Sequence, residues 1–252
     1  MRILVVSFIV LACSAASAPA EDFHVEFTGS YWRLKPSGNV QTSSTRVDLR
    51  SDLGIQEHRN QTAFKVVVKP GHKHRINFEV IPYRFKGQNN VSRVFQLGGI
   101  SYPVQDRITS EAGVNYLFGS YPHDFVDKQE GHAGVIGGLA YFDAKASATS
   151  QTLGSTGREE RKLPLPLIGG EFRAFLIPGK QVFNVNGEVK GMSLGSFGRY
   201  IHATGNAGVA AGRNVRLQAG FNFVDADVHN QDRTKGFKLH FNGPIFSVQL
   251  DD

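Results

Sequence analysis

The chain has 252 residues, 28 Lys and Arg against 22 Asp and Glu, and a formal charge of +6. The basic residues are scattered without a Lys/Arg cluster, which excludes the electrostatic footprint of a nucleic-acid binder. The one cysteine, Cys13, excludes a disulfide-stapled scaffold. No later run reaches the roughly 18 apolar residues of a membrane helix, so any membrane span is made of strands.

Met1-Arg2, the apolar run from Ile3 to Ala12, and small residues at Ala18 and Ala20 form a secretory signal peptide over residues 1–20. A rival lipoprotein box, Val10-Leu11-Ala12-Cys13, leaves an unusually short signal. Residues 21–252 then form one domain without cysteine.

Phe23, Val25, Phe27, Gly29 and Tyr31 alternate with His24, Glu26, Thr28, Ser30 and Trp32. A period of two puts successive side chains on opposite faces, so this is a strand. Polar residues 36–61 read as a long loop. Phe64, Val66 and Val68 then alternate with Lys65 and Lys69. Pro70-Gly71 turns the chain into a strand where Ile76, Phe78 and Val80 oppose Arg75, Asn77 and Glu79. Its phase slips at Ile81-Pro82, as at a bulge or strand end. Residues 86–106 read as a second long loop with a hairpin around Phe95-Gln96-Leu97.

Ile108, Ala112, Val114, Tyr116 and Phe118 alternate with Thr109, Glu111, Gly113 and Asn115, and residues 122–131 connect to Ala133, Val135, Gly137, Leu139 and Tyr141. A third polar loop, residues 145–162, leads to a strand in which Glu171 and Arg173 share a face. After the Pro178-Gly179 turn comes the clearest alternation. Phe183, Val185 and Val189 oppose Asn184, Asn186, Glu188 and Lys190. Ile201, Ala203, Ala207 and Val209 oppose Tyr200, His202, Thr204 and Asn206. Val215, Leu217, Phe221 and Phe223 oppose Arg216, Gln218 and Asn222. The last strand sets Phe237, Leu239, Phe241 and Ile245 against Lys238, His240 and Asn242.

About ten strands result, with 8 or 12 as alternatives. Their connections sort into mostly long ones on one side and mostly tight turns on the other. An up-and-down outer-membrane barrel sorts its loops in this way, and a soluble Greek-key sandwich has no reason to. With its signal peptide, its alternation and its aromatic strand ends (Tyr31, Trp32, Tyr83, Phe85, Tyr116, Phe118, Tyr121, Tyr141), the chain resembles the small outer-membrane β-barrel proteins of Gram-negative bacteria. The C-terminal aromatic usual in them is replaced by Leu250-Asp251-Asp252. The resemblance implies an all-β, antiparallel transmembrane barrel in the bacterial outer membrane. Its partners would be outer-membrane lipid, lipopolysaccharide and the barrel-assembly machinery, with no nucleic acid.

If every apolar face meets lipid, the lumen receives Glu26, Arg75, Glu79, Glu111, Glu171, Arg173, Glu188, Lys190, His202, Arg216, Lys238 and His240. A barrel of this width is filled by its own side chains, so these mixed charges are expected to pair across the lumen and plug it. Tyr200 to Gly208 is similar to the His-x-Ser-Asn segment of lipid A deacylases, with Thr204 in place of the nucleophilic serine and an inserted Gly205. The phase sends His202 and Thr204 to the polar face, so no catalytic residue is expected. His72 and His74, or His123, Asp124, Glu130 and His132, lack a recognised metal spacing, so neither a metal nor a cofactor is expected. The expected function is a non-enzymatic role in envelope structure, surface interaction or small-solute passage. A lipid-modifying enzyme and a soluble periplasmic ligand-binding β-barrel are the alternatives.

Overall fold

The computed structural model describes residues 24–41, 45–71, 73–177, 180–193, 195, 198–229, 232 and 236–252. Residues 1–20, read from sequence as a signal peptide, as well as His72 and the Pro178-Gly179 turn, lie outside the described residues. The strands are β1 (Val25–Gln41), β2 (Arg46–Asp48), β3 (Arg59–Gly71), β4 (His74–Asn90), β5 (Phe95–Leu97), β6 (Ile100–Tyr102) and β7 (Arg107–Lys128). They continue as β8 (Gly131–Ser150), β9 (Thr156–Ile177), β10 (Lys180–Ser193), β11 (Gly198–Ala210), β12 (Val215–His229) and β13 (Gly236–Asp251).

Ten of these pair antiparallel in the order β13-β12-β11-β10-β9-β8-β7-β4-β3-β1, and β1 pairs with β13 to close the barrel. At the seam Glu26 lies opposite Asp251 and Trp32 opposite Ile245. The Asp252 carboxylate accepts the backbone N–H groups of His24 at 2.7 Å and Val25 at 3.0 Å, fastening one end of that seam. Closure gives the first and last strands a partner on each side over the lower part of the barrel, while residues 156–167 of β9 pair with β8 alone.

The strands are longer than the sequence suggests. Residues 122–128 and most of 145–162 are strand: β7 and β9 have 22 residues each and β8 has 20. At about 3.3 Å per residue and a tilt of about 40°, such a strand rises roughly 55 Å, about twice the ~25 Å apolar band of an outer-membrane barrel. The wall is therefore taller than an apolar band of that height.

This height explains the apparent phase slip at Ile81-Pro82. β4 does not slip. Near the rim with short connections, Ile76, Phe78 and Val80 are exposed outside while Arg75 and Asn77 are buried inside. Further along, Ile81, Tyr83 and Phe85 are buried inside while Arg84 and Lys86 are exposed. The geometric period of two continues, and the polarity attached to each face inverts as the strand leaves the apolar band. β1 inverts between Tyr31, which is exposed, and the buried Trp32 and Leu34. In β9, Ile168 and Phe172 are exposed apolar residues on the outer face, which carries Lys162, Glu160 and Arg158 higher up.

The interior consequently has two storeys. The lower holds charged and amide side chains. The upper holds a hydrophobic core containing Trp32, Leu34, Tyr83, Phe85, Tyr116, Phe142, Leu165, Tyr200 and Phe241. The long connections cover that core. Leu49, Leu53 and Ile55 from the β2–β3 segment are buried in it, as are Phe95 and Tyr102 of the small β5–β6 hairpin. The Tyr102 hydroxyl donates to Ala148 O at 2.5 Å and accepts Gly157 N–H at 2.8 Å, tying the hairpin to the tall wall. Arg93 donates to Asp52 and to Arg46 O, holding the two long segments together.

Candidate functional site in the barrel interior

Lower-storey side chains reach the lumen because each sits on the inward parity of its strand, and every barrel strand contributes one. Arg75 of β4 donates Nε–H to Asp124 Oδ2 at 2.9 Å, pairs with Glu171 Oε1 at 2.5 Å and contacts His132 Nε2 at 2.9 Å. These contacts link β4, β7, β8 and β9. Lys65 of β3 reaches Glu188 of β10 at 2.7 Å. Lys190 pairs with Glu79 across the lumen and with Glu188 at 2.6 Å, and its ammonium lies 4.5 Å from the Phe118 ring centroid.

Opposite, Arg173 donates to Glu26 at 3.0 Å and to Gln249 at 3.3 Å. Gln218 donates to Gln249 at 2.6 Å, and Arg216 pairs with Asp251 at 3.4 Å. His202 Nε2 lies 2.8 Å from Asn222 Oδ1, and Thr204 donates to the same oxygen at 2.8 Å. A cavity of about 110 Å³ remains among these groups. Ion pairs this deep persist because both members are desolvated together and hydrogen-bonded.

Of the residues assigned to the lumen from sequence, Glu26, Arg75, Glu79, Glu171, Arg173, Glu188, Lys190, His202 and Arg216 point inward. Glu111, Lys238 and His240 do not, and this corrects the sequence reading. Glu111 faces outward and pairs with Lys86 at 3.0 Å, both side chains more than half exposed. Lys238 meets Asp227 at 3.6 Å, and His240 Nδ1 lies 3.6 Å from Asp225. All three lie above the polarity inversion, where the charged face is the outer one and Phe237, Leu239 and Phe241 turn inward.

Sequence reasoning missed Asp124 and His132, because residues 122–131 read as a connector. Reading Ser120, Pro122 and Asp124 as continuing the parity of Tyr116 and Phe118 would have placed Asp124 inside. His202 is 2% exposed and makes its contacts within the lumen, away from any lipid surface. Near the short-connection rim the His74 and His123 rings lie 5.3 Å apart. Among the described residues, no group of His, Cys, Asp and Glu is arranged to hold a metal ion.

Two carboxylates shape the covered rim. Burial is the largest influence on Asp48 and raises its pKa. The N–H groups of Arg50 and Ser51, each 2.9 Å from Oδ1, outweigh it and hold the carboxyl below its ordinary value. Burial likewise raises Asp106, and hydrogen bonds from Ser150 and Thr152 bring it below the usual range.

No protein-family model and no curated protein sequence matches the chain. Among solved structures it is similar to the outer membrane protease OmpT from Escherichia coli, at 10% identity and a TM-score of 0.58, covering 96% of this chain and 100% of that one. It is also similar to the translocator domain of the autotransporter NalP from Neisseria meningitidis, at 10% identity and a TM-score of 0.50, covering 100% of this chain and 94% of that one. At this identity the likeness concerns the fold: the chain has the architecture of the Gram-negative outer-membrane β-barrel proteins.

Proposed function

We propose that the chain is a non-enzymatic outer-membrane barrel whose lumen is closed by its charged storey. Its tall wall and covered rim then stand outside the cell as a surface for interaction. The outer-membrane location and lipid partners are part of this proposal. They are supported by the fold and by the girdle of exposed Phe, Val, Ile and Leu on its outer face, since a water-soluble barrel would not leave so continuous an apolar belt uncovered. Tight turns face the periplasm in such barrels and longer connections face outward, which puts the Arg84, Lys86, Glu111 and Arg158 wall outside.

The observation that carries closure is the set of cross-lumen ion pairs, above all Lys190 with Glu79 and Lys65 with Glu188. They join strands that are not neighbours in the barrel. Water and ions would have to displace groups whose desolvation is already compensated. The direct test is planar-bilayer conductance of the purified protein. Closure predicts no steady current at moderate voltage in the wild type. A stable ohmic conductance would overturn the proposal in favour of small-solute passage.

A further inference from the structure

Above the charged storey, beside the covered rim, the interior is not filled. A recess of about 400 Å³ opens there between the upper ends of β1, β12 and β13 and the tall wall of β8 and β9. Its walls are apolar: Val40, Leu49, Phe85, Leu163, Phe237 and Phe241 are the larger side chains. Leu163, Phe237 and Leu239 pack on the hydrophobic core yet remain part-exposed to this space. Below it Tyr83, Phe142, Tyr200 and Phe241 enclose a residual void of about 20 Å³, and beneath them lies the charged storey. Among the described residues the recess thus narrows to a well ended by aromatic rings. Its volume falls within the roughly 300–1,000 Å³ of small-molecule sites.

The mouth differs from the walls. On the outer face beside it Lys145 pairs with Asp143 at 2.9 Å and Lys162 with Glu160 at 3.4 Å, while Arg161 lines it next to Glu159. Arg161 meets Glu159 at 3.5 Å with its own side chain 54% exposed. So long and wet a pair contributes little, and its guanidinium can take a ligand carboxylate with better geometry.

We propose that this recess binds the acyl chain of a single-chain amphiphile with an anionic end. The chain descends between Leu163 and Phe237 toward Phe241, and the head stays at the mouth beside Arg161. Covering part-exposed apolar wall supplies the driving force, and the tapered depth suits a chain better than a compact ring. The inference rests on the closed-lumen reading, which makes the well a dead end. Current through the barrel would overturn that reading, whereas the experiment below addresses the recess itself.

The chain's one tryptophan provides the readout. Trp32 lies 5.9 Å from Tyr83, which lies 5.1 Å from Phe241 in the recess wall, measured between ring centroids. The full-length mature protein in lipid nanodiscs is titrated with a mid-chain dibrominated fatty acid while Trp32 emission is followed. Saturable quenching that unbrominated fatty acid reverses is expected. Ala146→Phe and Ala112→Phe, each filling the recess, should abolish the saturable component while the folded band on an unheated gel persists. Arg161→Gln should weaken the acid several-fold and leave the matched brominated alcohol nearly unchanged. Absence of saturable quenching in the wild type overturns the proposal, as does quenching that the unbrominated acid fails to reverse. If both filling variants misfold, that competition in the wild type decides.

Discussion

Replacing Lys190 with methionine tests whether the lower storey is dry. The side chain is 1% exposed, pairs with Glu79 and with Glu188 at 2.6 Å, and caps the Phe118 ring. Methionine keeps most of the volume, so the loss is electrostatic. Glu188 retains Lys65 at 2.7 Å, whereas Glu79 loses its ion-pair partner among the described residues. Stranding one member of a buried pair costs about 3–5 kcal/mol, and the surviving Lys65 contact places Lys190→Met near about 3 kcal/mol. Lys86→Met removes a pair of the same chemistry with Glu111 on the outer wall, 76% and 60% exposed, and should cost no more than about 0.5 kcal/mol. Adding Glu79→Gln to Lys190→Met should recover part of the loss, giving a coupling of roughly 1–3 kcal/mol. Urea unfolding in detergent micelles, followed by the shift between folded and unfolded gel bands, measures the wild type, the single variants Lys190→Met, Glu79→Gln and Lys86→Met, and the double variant. Equal midpoints for Lys190→Met and Lys86→Met would refute the reasoning, because the interior pair would then be as solvated as the surface one.

Ile168, 74% exposed on the outer face, should tolerate leucine, and Ile168→Arg should cost roughly 2–4 kcal/mol if it sits near the bilayer midplane, read from the same titration. Gly131 opens β8 at φ +133°, and an added Cβ would lie 2.0 Å from Arg173 O; Gly131→Ala should therefore destabilise by about 1–3 kcal/mol and lower the unfolding midpoint. Asp48 and Asp106 both have pKa values depressed in the folded state. Their contribution is present above the ordinary carboxylate value of about 4 and is lost as pH falls through the folded value. Limited proteolysis of the covered rim should be unchanged from pH 8 to 5 and should accelerate below about pH 4, with Asp48→Asn showing the faster cleavage already at neutral pH.

The sequence carries the barrel well where strand and exposed apolar band coincide. β10 to β12 show nearly error-free alternation, and the inward residues Glu188, Lys190, His202 and Arg216 follow from it directly. Legibility fails where strands outgrow the band, since hydropathy reports which face meets water and not which face points inward. In β4 the inversion after Val80 imitates a bulge. In β13 it sends Lys238 and His240 to the wrong side, and in β7 it does the same to Glu111. The polar outer face of residues 145–162 hides two long strands inside an apparent loop. The recess was invisible for the same reason: Phe237, Leu239 and Phe241 carry an alternation identical to that of a lipid-facing strand. A run such as Trp32-Arg33-Leu34-Lys35, polar on the face that was apolar at Phe27 and Tyr31, is the signal that distinguishes the two.

The inversion of polarity along the wall is the claim on which the storeys, the closure and the recess all depend, and lipid contact measures it most directly. Residues 21–252 contain no cysteine, so single cysteines placed there can carry nitroxide labels at outward positions along the tall wall. Leu139→Cys and Ile168→Cys should be accessible to oxygen dissolved in the bilayer. Asn115→Cys, Arg158→Cys and Glu160→Cys should be accessible to a water-soluble nickel complex. Lipid-type accessibility at Arg158 or Glu160, or water-type accessibility at Ile168, would contradict the account.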